Sequence, residues 1–199
     1  MKDLTINEII NKCGALISDT HVVYSSGKHG DKYFNKNLIF AQPKYVSWIG
    51  EKFANHFSDK NIDIVIGPAT GGAILSSWTA YYLSKLNSKD VLSLYADKAI
   101  DGFVIKRGYD KKIRGKNVLL VEDVLTTGDS IKKVLEAVVD CGGNIAGIAS
   151  ICNRGSLKAS DFNIDSLYSL LNLDLKTYNS EDCPFCKTGV PINKDLGHG

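Results

Sequence analysis

Two adjacent acids, Glu122 and Asp123, close the apolar run Val118–Val121 and are followed by Val124, Leu125, Thr126, Thr127, Gly128, Asp129 and Ser130. Adjacent carboxylates cannot both enter a core without partners, so this strand end is a place for chemistry. Behind it Ile131, Val134, Leu135 and Val138 repeat at helical spacing, which makes Val124–Ser130 a loop that opens a helix. Backbone N–H groups at such a helix start, with the hydroxyls of Thr126, Thr127 and Ser130 beside them, suit a phosphate monoester. Gly128 permits close approach of backbone to ligand. Taken singly, Asp and Ser at a strand-to-helix turn are ordinary N-caps, so the whole string carries the reading. The string has neither the GxxxxGK[ST] of a P-loop nor the GxGxxG of a dinucleotide fold.

Other segments add donors and cations. Gly67-Pro68-Ala69-Thr70-Gly71-Gly72 contains a glycine pair whose exposed N–H groups suit a pyrophosphate. Arg154 follows the apolar run Ile145–Cys152; its fork matches a carboxylate bidentately, although a lone Arg after a strand is usually a surface residue. Lys98, Lys106 and Arg107 fall in Asp97–Lys112, a stretch of weak apolar periodicity with Gly102 and Gly108 that is expected to be mobile. Tyr33-Phe34 offers a stacking face for a flat ring, and Lys28 a cation; the plainer alternative is a hydrophobic hairpin with a solvated lysine. Cys183-Pro184-Phe185-Cys186 is a single CxxC, short of the four ligands of a closed zinc site and without a redox βαβ context. With His198 as a distant third candidate, a surface turn is the expected reading of that tail, and metal binding or a reactive dithiol stands behind it.

These residues need a frame. The chain's 199 residues, 44% hydrophobic, suffice for one sizeable core, so a single domain is expected. Ile6, Ile9, Ile10, Cys13, Leu16 and Ile17 predict a first helix over Leu4–Ile17. His21–Phe40 breaks into β-rich pieces, HVVYSS and KYFNKNLIF, around the turn Gly27–Asp31, and reads as a small hairpin-like cap. Helices are predicted at Lys44–Phe57, Ala73–Leu86 and Ser130–Cys141, alternating with strands at Ile62–Ile66, Val91–Tyr95, Asn117–Glu122 and Ile145–Cys152. Continuous Val/Ile/Leu strands alternating with helices give an α/β fold with a central parallel sheet flanked by helices. Ligands of such sheets bind beyond the carboxyl ends of the strands, where the polar loops lie.

Composition narrows the partners. Net charge is +2, with 24 basic and 22 acidic residues interspersed, so nothing demands a nucleic acid or an anionic membrane. No apolar run approaches the roughly 20 residues that span a bilayer, and the charged start MKDLTINEII is unlike a signal peptide, so a cytoplasmic protein is expected. Five cysteines, three of them in apolar segments (Cys13, Cys141, Cys152), argue against a disulfide framework.

The string VLLVEDVLTTGDS closely resembles the motif by which type I phosphoribosyltransferases bind phosphoribosyl pyrophosphate (PRPP). The resemblance implies that family's fold, with a small hood formed by about residues 18–40 and the C-terminal segment. It implies that Glu122 and Asp123 bind the ribose hydroxyls, that Val124, Leu125, Thr126, Thr127, Gly128, Asp129 and Ser130 bind the 5-phosphate, and that Ala69, Thr70 and Gly71 form the pyrophosphate loop. Within the family, Ser25-Ser26-Gly27-Lys28-His29 followed by Tyr33-Phe34 resembles the N-terminal signature of orotate phosphoribosyltransferases, and Arg154 stands where those enzymes carry an arginine for the base. Orotate has the carboxylate that purine bases lack. Thr126, Arg154, Lys28, Tyr33 and Phe34 are therefore the implied orotate contacts.

Departures qualify the match. Gly71 replaces a lysine of the better-known orotate enzymes, and Ala96–Phe103 keeps only Lys98 of their Arg-Lys-x-x-Lys-x-His-Gly loop. Lys106-Arg107-Gly108-Tyr109 and the Asp182–Pro191 tail resemble a variant branch of the family. The implied reaction is Mg²⁺-dependent transfer of ribose 5-phosphate from PRPP to orotate in pyrimidine (UMP) biosynthesis. Mg²⁺ would arrive with PRPP, touching Asp123, rather than in a cage of protein ligands. Lys98 and Arg107 would neutralise the leaving group, Lys98 from the neighbouring subunit of a homodimer. The alternatives are transfer to another base and a PRPP sensor that has lost catalysis.

Overall fold

The computed structural model describes residues 4–24 and 26–196. They form two compact units, one made of the described residues up to Gln42 and from Asp174 onward, the other Pro43–Leu173.

In the first unit, helix α1 (Ile6–Cys13) starts at a capping box, in which Thr5 N–H donates to the Glu8 carboxylate at 2.8 Å and Glu8 N–H to the Thr5 hydroxyl at 3.3 Å. The helix stops earlier than the periodicity predicts because Gly14 turns left-handed at φ +62°. Leu16–Ile17 then becomes β1, followed by β2 (Val22–Val23), β3 (His29–Gly30) and β4 (Tyr33–Phe34); β1 pairs with β4 and β2 with β3, both antiparallel. Lys36–Phe40, expected as part of a β-rich piece, is instead the helix α2. Asn35 caps it by accepting from Asn37 N–H at 3.2 Å, and the turn carries Ile39 fully into the core. The returning tail bridges Tyr178 to His29 by two backbone hydrogen bonds of 2.8 and 2.9 Å and carries a short helix, Pro184–Lys187, beyond which Asn193 N–H donates to His21 O at 2.7 Å.

The second unit runs α3 (Pro43–His56), β5 (Ile64–Pro68), α4 (Gly71–Asn87), β6 (Leu92–Ala99), β7 (Gly102–Val104), α5 (Asp110–Ile113), β8 (Asn117–Leu125), α6 (Asp129–Asp140), β9 (Asn144–Asn153) and β10 (Leu167–Asn172). Its sheet has the order β10-β9-β8-β5-β6-β7, parallel throughout except for β7. Two strands were not legible in the sequence. β10 is a half-buried edge strand without a continuous apolar run, and β7 has three residues that fold back on β6 as a hairpin. That hairpin occupies Asp97–Val104, the first half of the stretch expected to be mobile.

Period-two alternation splits the sheet residues between two cores. Ile64, Ile66, Val118, Leu120 and Ile148 pack with Ile131, Val134 and Val138 of α6. Val65, Leu119, Val121, Ala149 and Ile151 are buried on the other side. There α3 and α4 lie so close at Gly50 that a Cβ would come within 2.6 Å of Trp78 Cβ, and Phe57, just beyond α3, covers Gly147. Among the described residues no helix is long and apolar enough to cross a membrane.

The amino edge of the sheet is clamped by Asp63. Its backbone N–H donates to Asn117 O at 2.9 Å, its carbonyl accepts from Leu92 N–H at 3.0 Å, and its carboxylate meets Asn117 N–H and Lys89 Nζ, each at 3.0 Å. Burial pushes this carboxyl up, but the Asn117 N–H and the Lys89 ammonium outweigh it and hold the group below its ordinary value. A depressed folded pKa contributes stability that is complete above the unfolded value of about 3.9 and is lost as pH falls through the folded one. Asp63→Asn should therefore cost about 0.5–1 kcal/mol at neutral pH and flatten the acid side of a plot of urea midpoint against pH. An unchanged acid slope would contradict the clamp.

Candidate functional site

Chain order and sheet order disagree between β5 and β8, since the chain steps from β5 to β6 on one side and returns to β8 on the other. In an open parallel sheet that reversal opens a crevice at the carboxyl edge. The loops bordering it follow β5, β8 and β9, and the β6–β7 hairpin flanks them.

β8 does not end where the sequence predicts. It remains paired with β9 through Val124↔Cys152 and Leu125↔Asn153, so Glu122 and Asp123 lie within the strand and only Thr126–Gly128 separates it from α6. The ladder causes this extension, because Arg154 N–H and Gly155 N–H both donate to Leu125 O, at 2.7 and 3.2 Å. The acids are 7% and 5% exposed, and the Glu122 carboxylate accepts from Asp123 N–H at 3.0 Å.

The loop after β8 is tight. Gly128 sits at φ +81° with a Cβ position only 2.8 Å from Phe162 Cζ, so both its conformation and its surroundings require glycine. Gly128, the N-cap of α6, has no side chain to offer; the Thr127 hydroxyl accepts weakly from Asp129 N–H at 3.4 Å and donates to Asp129 Oδ2 at 2.9 Å, and Thr126, Thr127 and Ser130 are exposed. A helix start carrying a +0.5-type partial charge beside three hydroxyls can take up an anion.

On the β5 side, Ala69 and Thr70 are exposed between β5 and α4, and Ala69 N–H donates to Ala96 O at 2.9 Å. The peptide bond between them is cis. Gly71 and Gly72 are the first residues of α4 rather than a free loop, and no side chain caps that helix. Gly67 packs its backbone on Gly72, 2.7 Å from a would-be Cβ, and against the Val121 carbonyl. On the β9 side, a Cβ at Gly155 would overlap the carbonyl oxygen of Thr126, so the two loops touch backbone to backbone and Arg154 stands beside Thr126. The buried Asn153 staples this loop, accepting from Leu157 N–H at 3.1 Å and donating to Leu157 O at 2.8 Å. Burial pushes the Cys152 thiol up to about 12 against the pull of the Arg154 guanidinium, so Cys152 is a packing residue and no nucleophile.

Lys98 is exposed on the β6–β7 hairpin, paired across from Phe103. Lys106–Tyr109 forms a turn closed by Tyr109 N–H to Lys106 O at 3.1 Å, with Arg107 and Gly108 both left-handed (φ +63° and +79°). This geometry folds Arg107 back to within 3.5 Å of Asp97 and places its guanidinium over the Tyr95 ring. The second unit thus brings Glu122–Ser130, Ala69–Gly71, Arg154 and Arg107 to one edge of the sheet, with Lys98 on the adjoining hairpin.

In the first unit Lys28 is exposed on the β2–β3 turn. Tyr33 and Phe34 face opposite ways along β4, and Phe34 is only 4% exposed, so the two rings do not share one face. Ser25 and His198 lie outside the described residues. The surface-turn reading of Cys183–Cys186 is overturned: Cys183 is fully buried, and both sulfurs meet His21 and His29. Nothing in local spacing pointed to the histidines. Asn153 and Gly155 were also missed: Asn153 acts through a side-chain staple to Leu157 that no periodicity marks, and Gly155 through a backbone contact to Thr126 that exists only in the folded sheet.

Residues 37–171 match the family model described as phosphoribosyl transferase domain. The chain is 39% identical over 194 residues to the orotate phosphoribosyltransferase of Thermotoga maritima, covering 98% of each, and 37% identical to that of Caldanaerobacter subterraneus subsp. tengcongensis, covering 98% of this chain and 97% of the relative. Its fold matches the crystal structure of Mycobacterium tuberculosis H37Rv orotate phosphoribosyltransferase in complex with Fe(III) dicitrate, with TM-score 0.66 and 21% identity over 84% of this chain and 96% of that one.

The contact between the loops after β8 and β9 is directly testable. Gly155→Ala must push Thr126 away, which should destabilise the fold by about 1–3 kcal/mol and speed hydrogen exchange at the Arg154 amide. Unchanged urea midpoint and exchange would mean that this contact does not hold the edge together.

Proposed function

This chain belongs to the orotate phosphoribosyltransferases, and we propose that it transfers ribose 5-phosphate from PRPP to orotate, giving orotidine 5-monophosphate and pyrophosphate. The observation that carries the reading is the order of loops along the carboxyl edge. Arg154 after β9, the acids and phosphate loop of β8, and the Ala69–Thr70 turn after β5 lie side by side on neighbouring strands. Strands spaced about 4.8 Å apart put the outer two loops roughly 10 Å apart, on either side of the acids. A ribose held at β8 then has its incoming base on one flank and its departing pyrophosphate on the other.

In this reading the helix start at Gly128–Ser130 anchors the 5-phosphate, and Glu122 and Asp123 hold the ribose hydroxyls. Positive charge grows on the ribose as the C1–oxygen bond lengthens, and the fixed carboxylates favour it. Arg154 forks onto the orotate carboxylate, and Thr126, held beside it by the Gly155 contact, completes the base site. Arg107 and Lys98 meet the negative charge developing on pyrophosphate. Two neighbouring carboxylates near the carboxyl end of β8, with no third acid, His or Cys gathered by them among the described residues, fit Mg²⁺, which takes one or two carboxylates and otherwise substrate oxygens. Asp123 would hold the ion on the protein side, and when bound it would offset the charge of the leaving group. We further propose a homodimer in which Lys98 serves the neighbouring site; the exposed hairpin that carries it, with Ile100 fully exposed at its tip, supports that role.

Loss of the orotate ultraviolet band with PRPP and Mg²⁺ tests the reaction, and turnover of a purine or uracil but not of orotate would overturn it. Arg154→Ala should raise the KM for orotate by roughly 10–150-fold, the equivalent of about 1.5–3 kcal/mol for a charged hydrogen bond, while leaving the KM for PRPP nearly unchanged. Asp123→Asn should lower kcat/KM by about 10²-fold or more. Mixing Lys98→Ala with Asp123→Asn should restore activity through hybrid dimers, whereas a lysine acting in its own subunit would give no recovery.

A further inference from the structure

We propose that His21, His29, Cys183 and Cys186 form a closed structural zinc site within the unit built from the two ends of the chain. Their donor atoms all lie within 4.8 Å of one another. Cys183 Sγ is 3.5 Å from His21 Nε2, Cys186 Sγ is 3.7 Å from His21 Nε2 and 3.4 Å from His29 Nδ1, and the two ring nitrogens are 2.9 Å apart. A tetrahedral zinc with Zn–N of about 2.05 Å and Zn–S of about 2.3 Å needs nitrogen–sulfur edges of about 3.6 Å and a nitrogen–nitrogen edge of about 3.3 Å. The three nitrogen–sulfur distances straddle the required value, and the ring nitrogens need to part by only about 0.4 Å.

The surroundings prepare the ligands. His21 Nδ1 lies 2.8 Å from the Val190 carbonyl, which can only accept, so Nδ1 carries the proton and Nε2 turns its lone pair toward the sulfurs. His29 is held through its backbone by Tyr178, and Cys183 starts the short helix that carries Cys186 one turn on. His21, His29 and Cys183 are at most 6% exposed. Two thiolates and two neutral imidazoles around a divalent cation have no net charge, which removes the cost of burying ions. The donor set contains no oxygen, so it does not suit Mg²⁺ or Ca²⁺. Histidine and cysteine donors interleave around one point, whereas a two-iron cluster would place its histidines on one iron and its cysteines on the other.

Four protein ligands leave no position for water, so the role is structural. The paired strands of this unit are only two residues long, too short to be stable alone, and a metal is the usual remedy for so small a core. The clip ties residues 21–29 to residues 183–186 and fixes the hairpin that bears Lys28 next to a ligand, His29.

The full-length chain as isolated, in reducing buffer, should contain about one zinc per chain by elemental analysis. Stripped with a chelator and given Co²⁺ alone, it should develop the intense visible absorption of a tetrahedral ion and a near-ultraviolet thiolate-to-cobalt band, both abolished by Zn²⁺. The band should vanish in C183S/C186S and persist with altered visible absorption in H29Q. Because the wild-type band itself reports sulfur ligation, the test stands even if the double variant does not fold. A six-coordinate cobalt spectrum, no bound cobalt, or a thiolate band that survives in C183S/C186S would overturn the site. D123N should leave the cobalt spectrum unchanged, which separates this outcome from that of the proposed reaction.

Discussion

The grip of β5 and β9 on β8 is the constraint on which the carboxyl edge depends. Backbone, not side chains, makes the closest contacts there: Gly67 lies against the Val121 carbonyl and Gly72, Gly155 against the Thr126 carbonyl, and two N–H groups converge on Leu125 O. Close-packed interiors leave no slack, so a methyl group at Gly67, Gly72 or Gly155 would move a whole loop rather than a side chain. The functional residues are thereby positioned by a rigid ladder instead of by their own conformational preferences. That is the kind of support a site needs if its groups are to sit in place before the substrate arrives.

Stability and chemistry are divided between the two edges of the same sheet. At the amino edge Asp63 ties β5 to β6 and β8 through three strands' worth of hydrogen bonds, with Lys89 as counter-ion. At the carboxyl edge Glu122 and Asp123 are buried, with the Glu122 carboxylate accepting from Asp123 N–H, while Thr126, Thr127 and Ser130 are exposed at the start of α6. The β6–β7 hairpin differs from both. It stands at the end of the sheet, turns its apolar tip Ile100 to solvent and carries Lys98, and Arg107 is drawn back onto β6 by Asp97 and Tyr95. A cation held this way is already near the edge, whereas among the described residues no acid draws Lys98 back in the same manner.

The unit formed from the chain's two ends follows another logic. Its strands are minimal, and its order comes from Tyr178 pairing with His29 and from a cluster of four soft donors. A metal clip joining distant segments removes much of the entropy that the free ends would otherwise retain. The large unit needs no such device, because its buried parallel sheet supplies a continuous apolar core.

By itself the sequence determined the α/β class, four of the parallel strands and the long helices α3, α4 and α6 beside them, and it displayed the string Glu122–Ser130, because each is a local pattern of burial or a contiguous motif. It also pointed to Arg154 through a family resemblance carried by single positions. Tertiary structure decided the rest. Pairing with β9 extended β8 beyond its acids, and a left-handed Gly14 cut α1 short. Tyr33 and Phe34 were parted by strand alternation, which a resemblance to an aromatic pair does not display. The His–Cys cluster is the clearest case: the CxxC is legible as two ligands, but its partners lie more than 150 residues earlier in the chain. Only the pairing of the tail with β3 brings them together, and no local spacing rule encodes a contact made through the fold.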